Sequence, residues 1–290
     1  LLVLSDNAIL LFLGWELIGL TSFFLIYFWT LRRNTLKSAF KAFIFNKISD
    51  ILLLSFIINL VQITQSASIT VWVYYFSILP NLFQNSIFLP VLFLILASSL
   101  KSAQIIGHLW LPDSMEAPIP ASALIHSATL VSAGIFLLLK FFFLVEYCNL
   151  NIFIIFLGTL TSFYGGIVSA AQTDCKKLLA YSTISHCGYL FICVALNNLY
   201  LTLIYLYLHG FFKALTFFVI GNFVKISRSY QDIRRMGQLY LVLPIESILL
   251  LFCSANLAAL PFTLGYFYKF FLQCFFLNNL NSLVFLPFVV

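Results

Sequence analysis

An all-α protein that crosses a membrane many times is the fold class this sequence predicts, and three observations predict it. Of 290 residues, 62% are hydrophobic and only 8% are charged, where a soluble domain carries about 25%. The apolar runs reach the ~20 residues that a helix needs to cross a hydrocarbon core of about 30 Å. Those runs do not alternate polar with apolar residues, so helices rather than a closed barrel satisfy the backbone in lipid.

About eight spans follow, in one transmembrane domain over 1–290. The first, 8–30, could be dissolved in oil but for Glu16. The second, 40–63, begins beyond the cluster Arg32, Arg33 and Lys37 and holds Lys47 and Asp50 three residues apart, where they can pair. The stretch 69–83, "ITVWVYYFSILPNLF", is short, aromatic and uncharged, and suits the membrane interface. The third span, 86–106, carries Ser98 and Ser99 ahead of Lys101. The fourth, 119–145, holds His126 and, near its end, Lys140, which reads as a snorkelling lysine. The fifth, 150–171, is followed by Lys176 and Lys177, and the sixth, 177–197, holds His186. The seventh, 199–222, has His209 and Lys213 one turn apart. The eighth, 242–275, is too long for one straight crossing and contains Pro261 and Gly265, so it reads as a broken helix carrying Glu246 and Lys269. Residues 1–4 and 281–290 read as the tail and the start of further spans, so the chain is expected to be a piece of a larger membrane domain.

The basic loops test this count. Arg32, Arg33 and Lys37, then Lys176 and Lys177, then Lys225, Arg228, Arg234 and Arg235 all fall on one side. The positive-inside rule makes that side cytoplasm or mitochondrial matrix. The loop 107–118 on the same side holds Asp113 and Glu116 instead. Six scattered cysteines without a CxxC pair read as small apolar filler.

Glu16, Lys101 and Lys213 carry the functional reading. An ionisable group at mid-bilayer costs at least ~2.5–3.5 kcal/mol, and such groups mark ion or proton pathways. A carboxylate that approaches or retreats from a buried lysine sets whether the lysine holds its proton. Glu16 is then the partner of a buried cation. Lys47 with Asp50 reads equally as a neutralised pair that lets a helix insert, His186 equally as a helix–helix hydrogen bond, and Glu246 as a structural residue near the interface.

In order along the chain come "SDNAILLFLGWELIGLTSFFLIYFW", "LKSAQIIGHLWLPDSMEAPIPASALIHSATLVSAGIFLL", "DCKKLLAYSTISHCGYLF", "LHGFFKALTFFVIGN", "QDIRRMGQL" and "LPFTLGYFYKF". With these motifs the chain resembles the antiporter-like membrane subunits of respiratory complex I, in particular the subunit 5 type, which are akin to Mrp-type cation/proton antiporters. The resemblance implies two inverted repeats, about 5–145 and 150–290 with the second incomplete, each with one discontinuous helix. It implies proton transfer through Glu16 and Lys101, which match the family's paired acid and lysine, and through His126, Lys213 and Lys269, supported by Asp50 and His209. It further implies neighbouring membrane-arm subunits as partners, separate chains supplying missing helices, and a mitochondrial inner membrane rather than a bacterial plasma membrane.

Two departures from the family pattern stand out. Ile105 follows "KSAQ" where the family has Pro, so the helix break is expected to rest on Gly107. Phe270 follows Lys269 where the family has an acid. No Gly-rich phosphate loop or Cys cluster is present, so NADH, FMN, iron–sulfur clusters and ubiquinone are expected in partner subunits and no cofactor or nucleic acid in this one. The rival readings are a stand-alone Mrp-type Na⁺/H⁺ antiporter subunit and a non-pumping structural piece of the membrane arm. An intramembrane enzyme is disfavoured, since there is no HExxH and no Ser or paired Asp is poised.

Overall fold

The computed structural model describes residues 1–78, 84–127, 129–228, 230–237 and 239–279. The end of the expected interfacial stretch, 79–83, and the expected further span at 281–290 lie outside the described residues. Among the described residues the fold is helical, with two isolated antiparallel bridges, Asn7 to Ser68 and Asp174 to Asp232.

Helix α1 (Ala8–Ile26) starts where the Asn7 side chain accepts from the Ile9 N–H at 2.9 Å. Helix α2 (Arg33–Thr64) is longer than the sequence reading had it and takes in Arg33 and Lys37, since no breaker interrupts it before Gln65, at φ 53°. Helix α3 (Ile69–Ile78) is tied beside α1: the Asp6 carboxylate accepts from Thr70 N and Oγ1 at 3.2 and 3.1 Å. Helix α4 (Gln84–Lys101) stops at Lys101, and turns lead to α5 (Trp110–Asp113).

The expected span 119–145 is not one helix but three in series: α6 (Ile119–Ser127), α7 (Leu130–Lys140) and α8 (Phe142–Tyr147). Then come α9 (Asn151–Ala171), α10 (Cys175–Ala195) and α11 (Leu199–Ile226). The last expected span divides into α12 (Leu239–Val242), α13 (Pro244–Ala258) and α14 (Leu264–Asn279).

Six segments among the described residues are long and apolar enough to cross a membrane: α1, α2, α6 with α7, α9, α10 and α11. The expected spans at 86–106 and 242–275 are not among them: the apolar helix of the first, Ser86–Lys101, stops at Lys101, and the second is divided between α13 and α14. Contacts between chain ends fix the alternation of direction. Lys41 pairs with Asp113 at 2.6 Å, and Cys175 N donates to Gln231 O at 3.0 Å, at the basic end. At the other end Asn197 donates to Glu146 at 3.1 Å. Lys140 also lies there, its ammonium donating to the Ser5 carbonyl ahead of α1.

Polarity is inside out. Leu4, Phe24, Ile51, Tyr200, Ile245 and Phe262 face outward, while Ser98, Ser99, Lys101, Gln104, His126 and Lys213 are wholly buried. A bilayer rewards this arrangement, since an outward Leu loses nothing against lipid and a polar side chain must find its partner within the bundle.

Candidate functional site

The first polar cluster is built by α1, α2 and the end of α4. Lys101 has no exposed surface. Its ammonium donates to the Trp15 carbonyl at 2.6 Å, lies 3.9 Å from the centroid of the Trp15 ring and sits 3.6 Å from Asp50 Oδ1. Lys47, one helical turn before Asp50, is 3.7 Å from Asp50 Oδ2 and donates to Glu16 Oε1 at 2.5 Å. The order in space is therefore Glu16, Lys47, Asp50, Lys101. Glu16 is not the direct partner of Lys101 as the sequence reading had it; two charges stand between them. The reason is geometric: Trp15, one residue earlier on α1, occupies the space beside Lys101 and leaves Glu16 on the flank facing α2.

The helix break after Lys101 is made by Ala103, at φ 53°, and not by Gly107 as expected. Gly107 serves a different end: a Cβ there would lie 2.8 Å from Leu100 Cδ2 and 3.0 Å from Leu100 Cα, so the returning strand of chain could not press against α4. The freed backbone groups are satisfied. Gln104 N donates to Ser99 O at 2.8 Å, and Trp110 Nε1 donates to Leu100 O at 3.1 Å.

His126 closes α6 and is wholly buried. Its Nε2 is 3.0 Å from Ser114 Oγ, and its ring stacks on Phe217 at 5.7 Å, while Nδ1 has no partner among the described residues. Gly210 brings α11 against this helix, since a Cβ there would sit 3.2 Å from the Ser127 carbonyl. The neighbouring space, lined by Ser127, Ser132, Cys187, Leu206 and His209 among others, is too narrow for a water molecule. At the basic end a charged cavity of about 690 Å³ is walled by Asn34, Lys37, Lys41, Asp113, Glu116 and Lys176 among others. Its wall includes Met115, the residue next to Ser114.

The second cluster lies between α10, α11 and α14. Lys213, fully buried, donates to Ser182 Oγ at 2.5 Å. His209 lies one turn earlier, its ring centroid 5.3 Å from that of His186. His186 Nδ1 is 2.8 Å from the Tyr205 hydroxyl, and the Tyr205 ring stacks on Tyr268 at 4.4 Å. Lys269 donates to the Leu257 carbonyl, an unsatisfied end of α13, at 2.7 Å and stands 5.8 Å from the Tyr189 ring centroid. Among the described residues no carboxylate forms an ion pair with Lys269, in keeping with Phe270 at the next position.

The structure thus brings Glu16, Asp50 and Lys101 into one cluster and His209, Lys213 and Lys269 into another, with His126 against α11 between them. Sequence reasoning gave no path role to Trp15, Lys47, Ser114, Ser182, Tyr205 or Tyr268. Tyr205, His209 and Lys213 do share a readable signal, a spacing of four on one helix face. Ser182 and His186 share the same interval on α10, whereas Trp15 has no such signal, because it matters only through a partner far away in the chain.

Buried lysines beside interrupted helices, one of them at the end of a series of alternating charges, fit an antiporter-like membrane protein. The chain belongs to the NADH:quinone oxidoreductase/Mrp antiporter transmembrane family, whose model matches residues 5–290. It is 48% identical over 278 residues to NADH-ubiquinone oxidoreductase chain 5 of Paramecium tetraurelia, covering 93% of this chain and 48% of that one. Chain 5 of Pongo abelii is 38% identical over 270 residues, covering 93% and 44%. The chain spans about half the length of the curated relatives it matches. The solved Mrp complex from Dietzia sp. DQ12-45-1b superposes with a TM-score of 0.86 at 29% identity, over 97% of this chain and 31% of that one. An archaeal membrane-bound sulfane sulfur reductase gives 0.88 at 17% identity, over 98% and 60%, a likeness of fold alone.

Proposed function

We propose that this chain is the proton-translocating core of an antiporter-like, subunit 5 type component of respiratory complex I, set in a mitochondrial inner membrane. One observation carries the reading: Glu16, Lys47, Asp50 and Lys101 form a continuous series of contacts of 2.5, 3.7 and 3.6 Å that ends on a fully buried lysine. A charge displaced at Glu16 shifts Lys47, which then holds Asp50 more or less strongly, and Asp50 decides whether Lys101 keeps its proton. Lys101 releases toward His126, Lys213 and Lys269 in turn. The names of the relatives favour this over a free-standing Na⁺/H⁺ antiporter.

The outer end of the series supports a partner subunit. Glu16 and Lys47 side chains are 33% and 35% exposed at mid-helix. Acyl chains cannot solvate them, so another membrane-arm subunit covers this face and supplies the signal. The redox groups and ubiquinone belong to other subunits of the assembly, and this chain is arranged as two inverted repeats, about 5–145 and 150–290. The charged cavity at the basic end is the uptake side, leading by Met115 and Ser114 to His126.

Lys101→Ala in the assembled complex tests this. NADH oxidation continues and the proton-to-electron ratio falls. An unchanged ratio refutes the reading and leaves the chain a structural component.

A further inference from the structure

We propose that His186 and Tyr205 are proton-relay residues that carry the outward leg from Lys213 and His209 to the second broken helix. This rests on the proton-translocating reading above and adds a route to it.

The geometry is a ladder. On α11, Tyr205, His209 and Lys213 follow one another at intervals of four residues, so they line one face over about 12 Å at 1.5 Å per residue. On α10, Ser182 and His186 share the same interval. The rungs join the two helices: Ser182 Oγ with Lys213 Nζ at 2.5 Å, then the His186 and His209 rings at 5.3 Å, then His186 Nδ1 with the Tyr205 hydroxyl at 2.8 Å. Tyr205 stacks on Tyr268, which precedes Lys269 on α14. The ladder runs from the middle of α11 toward its Leu199 end, away from the basic end.

Packing alone accounts poorly for this arrangement. His186, Tyr205 and His209 are buried, at 6%, 0% and 4% exposure. His209 Nε2 and the Tyr268 hydroxyl are buried without a partner among the described residues. Unpaired buried polar atoms are costly, and here they stand beside the two partners of the His186–Tyr205 bond. Both relay groups can accept a proton at one site while giving one up at another. Imidazole does so between its two nitrogens, and the phenol does so at its oxygen. A proton arriving from His209 enters His186 and leaves from Nδ1. The Tyr205 oxygen accepts it and surrenders its own proton toward Tyr268 and Lys269. Each group ends as it began, ready for the next turnover once its ring or hydroxyl reorients.

His186→Gln and Tyr205→Phe in the assembled complex, with Lys101→Ala beside them, decide the matter. Glutamine can still hydrogen-bond Tyr205 but cannot take up a proton; phenylalanine keeps the stack on Tyr268 and lacks the hydroxyl. The expected result is assembled complex that oxidises NADH with a lowered proton-to-electron ratio in all three variants. A full ratio in His186→Gln, with a lowered one in Lys101→Ala, overturns the relay and leaves the general reading standing. A full ratio in all three overturns both. If His186→Gln does not assemble, Tyr205→Phe decides alone: a lowered ratio supports the relay, and a full ratio removes it. A lowered ratio in His186→Gln with a full ratio in Tyr205→Phe overturns the pair as stated.

Discussion

Lys47 illustrates how much one side chain can decide. It touches both carboxylates of the first cluster, Glu16 at 2.5 Å and Asp50 at 3.7 Å, and so links Glu16 to the Asp50–Lys101 pair. Residues that act in one network are not additive, with couplings of about 0.5–3 kcal/mol. Glu16→Gln and Lys47→Gln should therefore each lower coupled turnover, and the double variant should be no worse than the more damaging single one. The check is a double-mutant cycle on proton pumping per NADH in sealed vesicles. Strictly multiplicative losses would mean that the two groups act separately. The sequence showed Lys47 and Asp50 as an i,i+3 pair, and that pair is present. It could not show that Trp15 displaces Glu16 from Lys101, because the order of four charges drawn from three helices is a property of packing.

At the scale of elements, the two interrupted helices organise everything else. At each a lysine reaches a backbone carbonyl: Lys101, which ends α4, that of Trp15, and Lys269, on α14 beyond the break, that of Leu257 at the end of α13. The second break is held tightly. Ala259 and Phe262 have φ of 62° and 68°, and α14 returns against α13 at Gly265, where a Cβ would stand 1.7 Å from the Asn256 carbonyl. Neither backbone can yield without opening the hairpin that seats Lys269. Gly265→Ala should destabilise by more than the ~1–3 kcal/mol usual for overpacking, and the assembled complex should be depleted on native gels. Gly237→Ala, with nothing within 4 Å of the added carbon, should assemble normally. Equal assembly of the two variants would contradict the hairpin. That a break lay in 242–275 was legible from the excess length together with Pro261 and Gly265. The position of the first break was not, because Ala103 carries no sequence sign of the left-handed backbone it adopts. The division of 119–145 was equally hidden, since an uninterrupted apolar run reads as one helix.

On the scale of the whole molecule, the alternation of chain direction puts the Arg32, Lys177 and Arg234 loops at one end and Gln65, Asn149 and Asn197 at the other. Composition and loop charge alone predicted this arrangement, and the long-range pairs Lys41–Asp113 and Asn197–Glu146 agree with it. The proposed direction of transport depends on it: protons enter by the basic-end cavity and leave along the α10–α11 ladder toward the opposite end. Cysteine labelling tests the orientation directly. Among the native cysteines, five are buried and Cys274 is partly so. Cys148, in a turn between helices, has its thiol pushed up by burial to about 11, which leaves little reactive thiolate. An added exposed cysteine should therefore dominate labelling by a membrane-impermeant maleimide. Arg235→Cys should react in inside-out inner-membrane particles and not in mitoplasts, and Gln65→Cys the reverse. Labelling of both from the same side would break the alternation; a clean exchange of the two would invert the membrane and, with it, the proposed direction of proton movement.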